Sequence, residues 1–462
     1  MTKRISLGVF EMMNPSNGMP TWQHPQGRGD DWDSIDYWAG LSRMLDDAGF
    51  EFLFFADTYG YPTIEGAVPD EVVAHGIQFP ALDPMLIISA LARETTSLGF
   101  VLTSPTTVER PYATARRFAS LDHYTRGRIG WNIVTGSSQT TTDALFGITS
   151  TGTHDSRYDI ADEFVDVCLE LWEGGWEDDA EARDRTRNVY ADPEKLHRIE
   201  HNGEHFRASG QFVVPPSKQR TPALFQAGTS ARGRAFAARN AEAVFIQGQS
   251  IAKAAEQVAD IRAQAERHGR GRDEIRVISG LTVMLGDTPE HAAARRAEYD
   301  AVLTRADAAV MFAGFTGLDL SALDPASLLT EVHSDLGQTL LDRFVRPGAP
   351  VPTVGGVLDD FRRKAIRGFQ LTGTAEQVAD ELQEIIEGSD LDGIMLEPTF
   401  GGIDSYREFI EQVLPLLRER GIVGEAPAGS TLREHLGSTS PRLAPTHPGA
   451  RFRHPIANPG AS

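Results

Sequence analysis

Short runs of apolar, β-favouring residues recur along the chain between longer amphipathic segments. They are ISLGVF at 5–10, EFLFFA at 51–56, LGFVLT at 98–103, RIGWNIVT at 128–135, PALFQAG at 222–228, AEAVFIQG at 241–248, RVISGLTVML at 276–285 and DGIMLEP at 392–398. Strands too apolar to face water on either side, with helices between them, belong to parallel sheets. The helices read from their own periodicity: SIDYWAGLSRMLDDAG before the second strand, DPMLIISALARETT before the third and RPYATARRFASLDHYT before the fourth. Ser34, Asp83 and Pro111 supply their start signals. Eight strand–helix units predict an α/β protein of the (β/α)8 TIM-barrel type, with an open doubly wound sheet as the alternative.

Two intervals exceed a simple connection and read as insertions after strands 4 and 7, at about 136–221 and 286–391. The first contains a helix near RYDIADEFVDVCLELWEG and then a Gly-flanked stretch, HNGEHFRASGQFVVPP, that reads as a small hairpin. The second holds helices around 288–307, 357–368 and 374–388, with a loop-rich middle at FAGFTGLDLSALDPASLL. Residues 1–424 then form one barrel domain. From about Glu425 the chain turns to Pro, Gly, Ser and His without periodicity, so 425–462 reads as an extended tail.

Composition narrows the function. Lys plus Arg number 44 and Asp plus Glu 65, a net charge of −21 that repels nucleic acid and anionic membrane surfaces. Cys168 is the single cysteine, which excludes an internal disulfide framework and any all-cysteine metal site; its helix-face setting points to a buried structural thiol. The first apolar run is too short for a signal-peptide core, and none approaches the length of a membrane span, so the expectation is a soluble, cytoplasmic protein.

In a barrel the strand ends at one face hold the site. Polar residues there are Asp57, Thr103, Asn132, Gln226, Gly228 and Glu397, each of which could equally cap a turn. In PALFQAGTSARGRAFAARN a strand runs through Gly228, Thr229 and Ser230 directly into a helix, where free amides and hydroxyls suit a phosphate or serve as a plain N-cap. His154 and Tyr158 fall one turn apart at the start of the inserted helix and could donate jointly to an anion. His197, His201 and His205 recur every four residues, yet Asn202-Gly203 signals a turn between them, so no metal site is assigned. There is no GxxxxGK[ST], no strand–GxGxxG–helix and no GxSxG elbow. The many carboxylates leave a carboxylate-pair glycoside hydrolase open.

Several segments together resemble the bacterial-luciferase-like flavin-dependent monooxygenases, in the branch with nitrilotriacetate, EDTA, dibenzothiophene-sulfone and dimethylsulfide monooxygenases. They are FFAD at 54–57, RPYATARRFASLDHYTRGRIGWNIVTG at 110–136, HDSRYDIADEF at 154–164, LWEGGWEDDA at 171–180, ADPEKLHRIEHNGEHF at 191–206, FQAGTSARGRAFAARNAEAVF at 225–245 and TLREHLG at 431–437. The resemblance implies an oxygenase that takes reduced FMN (FMNH2) from a separate NAD(P)H-dependent flavin reductase. It then oxygenates a carbon or sulfur centre of a small molecule with O2 through a C4a-(hydro)peroxyflavin. It also implies a homodimer or homotetramer. Asp57, Thr103 and Asn132 match residues near the isoalloxazine and ribityl chain, while His154, Tyr158, Gly228, Thr229 and Ser230 match the phosphate site. His24 and His75 are the candidate proton donors, and Met12, Phe55, Phe245, Phe312 and Phe315 the candidate apolar pocket. A histidine that sulfone-oxidising members carry before the TG of the late insertion is Phe315 here, which argues against a dibenzothiophene-sulfone-like substrate. An F420-dependent oxidoreductase of the same fold is the alternative within this architecture.

Overall fold

The eight apolar runs become eight strands that pair in parallel and close on themselves, in a computed structural model that describes residues 4–16, 21–64, 66–136, 139–149, 152–228, 230–329, 344, 350–365 and 367–454. In chain order the strands are β1 (Ser6–Glu11), β2 (Phe52–Phe55), β3 (Gly99–Pro105), β4 (Ile129–Val134), β5 (Arg198–Asn202), β6 (Arg207–Gln211), β7 (Ala223–Gln226), β8 (Ala243–Ile246), β9 (Arg276–Leu285), β10 (Phe369–Gly373) and β11 (Gly393–Glu397). The barrel runs β1-β2-β3-β4-β7-β8-β9-β11 and returns to β1, where Ser6 lies opposite Gly393. β5 and β6 are the expected antiparallel hairpin of the first insertion.

Helices α1 (Ile35–Asp47), α2 (Asp70–Ala74), α3 (Ile88–Glu94), α4 (Pro111–Thr125), α5 (Gln139–Phe146), α6 (His154–Leu169), α7 (Ala231–Asn240), α8 (Ile251–Arg267), α9 (Pro289–Val302) and α10 (Arg305–Thr316) follow, with others at Val354–Lys364 and Ala375–Ser389. On α1 the stripe Trp38, Leu41 and Leu45 is fully buried, each residue contributing roughly 1.5–3 kcal/mol. Cys168 is buried on α6, and burial pushes its thiol up, away from the reactive thiolate.

The barrel interior is a second apolar cluster, separate from the strand–helix layer: Phe52, Phe54, Val101, Phe225, Phe245 and Met395 are among its members. The Phe10 ring stacks on Phe54 at 5.8 Å and on Phe245 at 6.0 Å, so the interior is an aromatic plug rather than a pore.

The structure departs from the sequence reading in three places. FQLTG at 369–373 is a strand, β10, which pairs with the upper half of β9 from Leu281 to Leu285, beyond the point where the shorter β8 stops. The helix expected over 288–307 breaks at Leu303, because Thr304 and Asp307 form a capping box that starts α10; α10 then runs to Thr316 through residues expected in a loop. The segment expected as an extended tail instead turns under the barrel. Its helix Leu432–His435 inserts Leu432 between β3 and β4, where Cβ atoms at Gly99 and Gly130 would lie 2.7 and 3.0 Å from the leucine methyls. Arg433, 1% exposed, is bonded to Glu242 through both carboxylate oxygens.

Candidate functional site

Two clusters form at the C-terminal ends of the strands. The first is built where β7 runs into α7 and meets the first turn of α6. Ser230 is extended and caps α7, accepting from the Gly233 N–H at 3.0 Å. The buried Tyr158 hydroxyl is hydrogen-bonded to the side chains of Ser230, Gln226 and Thr135. Burial raises its pKa, so the phenol stays protonated and remains a donor. Gln226 reaches back to accept from the Gly228 N–H at 2.7 Å. At Gly228 a Cβ would collide with both the Gln226 amide and the Tyr158 hydroxyl, so only glycine leaves this cradle open. The His154 ring meets Tyr158 edge-on at 5.3 Å, and its Nδ1 is 2.9 Å from Asp155. Arg232 lies over the Tyr158 ring at 5.5 Å but is held by Asp159 and Asp162. The site therefore presents neutral donors and a helix start, which suits a phosphate. Thr229 lies outside the described residues.

The second cluster spans β2, β3 and β4. Thr103 Oγ1 donates to the Phe55 carbonyl at 2.9 Å and accepts from Asn132 Nδ2 at 2.9 Å. Asn132 is 3% exposed, and its Oδ1 is buried without a partner among the described residues. A buried acceptor left unpaired costs about 1–3 kcal/mol, which a donor on a bound molecule would recover. Asp57 follows β2; burial, and then the facing Asp83, push its carboxyl up to about 7.

The loop after β1 is clamped over the barrel mouth. Arg28 pairs with the buried Glu11, donates to the Met12 carbonyl at 2.9 Å and to the Gly401 carbonyl at 3.0 Å, and Tyr406 donates to Glu11 at 2.8 Å. At the end of the neighbouring strand β11, Glu397 is buried, accepting from Gln247 at 3.2 Å and Thr282 at 3.3 Å; Arg367, which donates to Thr282 and to the Pro398 carbonyl, also stabilises it. Gln247 and Arg367 also line, together with Ser230, a cavity of 1520 Å³.

Several expected residues are placed elsewhere. Phe55 faces outward and packs edge-on against Trp38 at 5.4 Å, because its neighbour Phe54 takes the interior. Phe312 is buried in the apolar cluster of the second insertion and Phe315 is half-buried against it, both beside Phe361. Phe245 does face the interior, and Met12 is half-buried beside Arg28. His24 stacks on Phe400 at 3.7 Å and pairs with Glu298 at 3.0 Å, while His75 pairs with Asp307 at 2.5 Å. Both are thus committed to the second insertion. His197 pairs with Glu177, His201 bridges Glu163 and Glu170, and the His205 N–H donates to Glu163. The three lie along and beside the hairpin, not on one helix face.

In the sequence Gln226 is legible only as a strand end, and Gln247 is not singled out although its place after AVFI mirrors that of Gln226 after ALF. That repeat of glutamine after a strand was the available signal. Arg367 carried none, since it precedes a strand that was not foreseen.

A parallel barrel with its polar site at the strand ends is shared by many enzymes, and similarity to known proteins narrows the class. The chain belongs to the luciferase-like monooxygenase family, whose model matches residues 14–392. It is 36% identical to the long-chain alkane monooxygenase of Geobacillus thermodenitrificans (strain NG80-2), over 99% of this chain and 100% of that protein. It is 37% identical to the dimethyl-sulfide monooxygenase of Hyphomicrobium sulfonivorans, over 98% and 94% respectively. Among solved structures, a riboflavin lyase with modified FMN and riboflavin superposes with a TM-score of 0.93 at 43% identity, covering 98% of this chain and 100% of that one. No helix among the described residues is long and apolar enough to cross a membrane.

Proposed function

We propose that this chain is the oxygenase component of a two-component monooxygenase. It would receive FMNH2 from a separate NAD(P)H-dependent flavin reductase and insert one oxygen atom of O2 into a small organic substrate. The balance is substrate plus O2 plus FMNH2 giving oxygenated substrate, FMN and water. Reduced FMN, when bound, supplies the activation of oxygen, so the protein needs no acid–base triad of its own.

The observation that carries the reading is the presence on one barrel mouth of the Tyr158–Ser230–Gly228 cradle and of Asn132 Oδ1, buried with no partner among the described residues. The cradle fits a phosphate, with Tyr158 and Ser230 donating and His154 alongside. Asn132 and Thr103 fit the polar edge of a flavin or its ribityl hydroxyls, and Asp57 lies beside them. Phe10, Phe54 and Phe245 below would keep water from the reacting face. Family membership removes the basis for the glycoside-hydrolase alternative.

The test is an anaerobic titration with photoreduced FMN, followed by oxygen-uptake assays with a flavin reductase and candidate substrates. Dimethyl sulfide, a long-chain alkane and riboflavin enter the screen because similar proteins are named for them. Tight binding of FMNH2 and substrate-dependent oxygen uptake are expected. Absence of FMNH2 binding would overturn the reading and turn attention to F420.

A further inference from the structure

A cavity of 620 Å³ opens beside Asp57 and Thr103, at the ends of β2 and β3. Its walls are aromatic. The Tyr59 ring stacks on Phe146 at 5.5 Å, and Tyr61 meets Phe79 edge-on at 5.6 Å. Its rim is apolar and open to solvent: Leu82 is 43% exposed and Leu86 81%. Large apolar side chains are left in water at this density mainly where something apolar docks.

The charges of this cavity are one-sided. Asp57, Asp83 and Glu109 line it, with Arg117 as the sole lining cation among the described residues. Arg117 is already paired with Glu109 at 3.1 Å, and the same carboxylate accepts from the Tyr59 hydroxyl at 2.7 Å. Asp57 and Asp83 instead accept backbone N–H groups, from Thr58 and Met85, both at 2.8 Å. Burial and the field of Asp83 already disfavour ionisation of Asp57. A further negative charge brought into this cavity would meet the same field against low-dielectric walls. A cation or a neutral ring would instead be attracted by the aromatic faces and, if charged, by Asp83.

We propose, resting on the oxygenase reading above, that this cavity takes the substrate, and that the substrate is an uncharged or cationic molecule with an aromatic or otherwise apolar body. Polycarboxylates of the nitrilotriacetate type, for which part of the branch is named, are excluded by Asp57 and Asp83.

Probes of similar shape and different charge separate this from its alternatives: 4-(methylthio)benzylamine, thioanisole and 4-(methylthio)benzoate, titrated by calorimetry into the full chain at about pH 8, above the value of about 7 to which the Asp57 carboxyl is raised. The amine and the neutral sulfide are expected to bind about tenfold or more tighter than the carboxylate. Asp83→Asn keeps the cap on the following turn, because asparagine caps as well as aspartate, and it should cut the amine's lead over the carboxylate about threefold or more. Tyr59→Leu should weaken all three. Equal or tighter binding of the carboxylate, an unchanged lead in Asp83→Asn, or no binding of any probe would overturn the proposal. Oxygen uptake is measured separately, so a chain that ranks the probes as expected yet consumes no oxygen would defeat the oxygenase reading and leave the cavity's preference standing.

Discussion

Tyr158 shows how much one residue's surroundings decide. Removing its hydroxyl in Tyr158→Phe, or the Ser230 hydroxyl in Ser230→Ala, should each weaken FMNH2 binding by about 1–3 kcal/mol, the value of a hydrogen bond to a charged group. Anaerobic titration checks this, and unchanged affinity in both variants would remove the phosphate site. Glu51 carries a second prediction. Its carboxylate accepts the Leu7 N–H at 2.6 Å, and burial pushes its pKa up to about 8 from an ordinary 4.5. Between those values the folded chain holds a proton that the unfolded chain has lost, so this residue's contribution to stability falls as pH rises from 4.5 through 8 and is flat above. Glu51→Gln should abolish an alkaline loss of roughly 2–4 kcal/mol, read as the difference in urea midpoint between about pH 6 and about pH 9. An equal loss in the variant would show that other groups carry it. His447 acts with the opposite sign: burial lowers its pKa to about 4, with Nε2 against the Asn240 carbonyl and Nδ1 accepting from the Gly449 N–H. Its contribution is present above the unfolded pKa near 6.5 and is lost as pH falls toward 4.

At the scale of elements, the helix Leu432–His435 is too short to be stable alone and exists because Leu432 fills the space left by Gly99 and Gly130. Leu432→Ala should cost about 2–5 kcal/mol by opening a cavity beneath β3 and β4. Denaturant unfolding measures it; a loss below about 1 kcal/mol would mean the tail is not part of the barrel's core. β10 has the same dependence on its neighbours. Its five residues, FQLTG, carry no strong strand signal, and they extend the sheet only because β8 ends early and leaves an edge of β9 unpaired. The same holds for the break between α9 and α10, where a local capping box overrides an otherwise continuous helical pattern.

Over the whole molecule, the net charge of −21 opposes the approach of a phosphate dianion. If FMNH2 is the ligand, its association rate should rise roughly two- to fivefold between about 20 and about 200 mM NaCl as the repulsion is screened. Stopped-flow mixing under anaerobic conditions reads this directly. A rate that falls with salt would mean that the field of the α7 start and the nearby arginines outweighs the net charge.

The sequence by itself determined the barrel and the two separate halves of the Tyr158–Ser230 cradle. Strands buried on both faces are written as continuous apolar runs, and Gly228, Ser230 and the α7 start are contiguous in the chain, as are His154 and Tyr158 on α6. The hairpin was equally legible from its glycines. Only the tertiary structure decided which side of each strand faces inward. In FLFF every residue is apolar, so the sequence pattern cannot say that Phe54 enters the barrel while Phe55 packs on Trp38. That choice follows from register between strands far apart in the chain. The same is true of the cavity by Asp57, whose walls come from the loop after β2, the segment before α3, and α5. His24 and His75, plausible donors by position, were spent on Glu298 and Asp307 by an insertion more than two hundred residues downstream, a pairing no local pattern records.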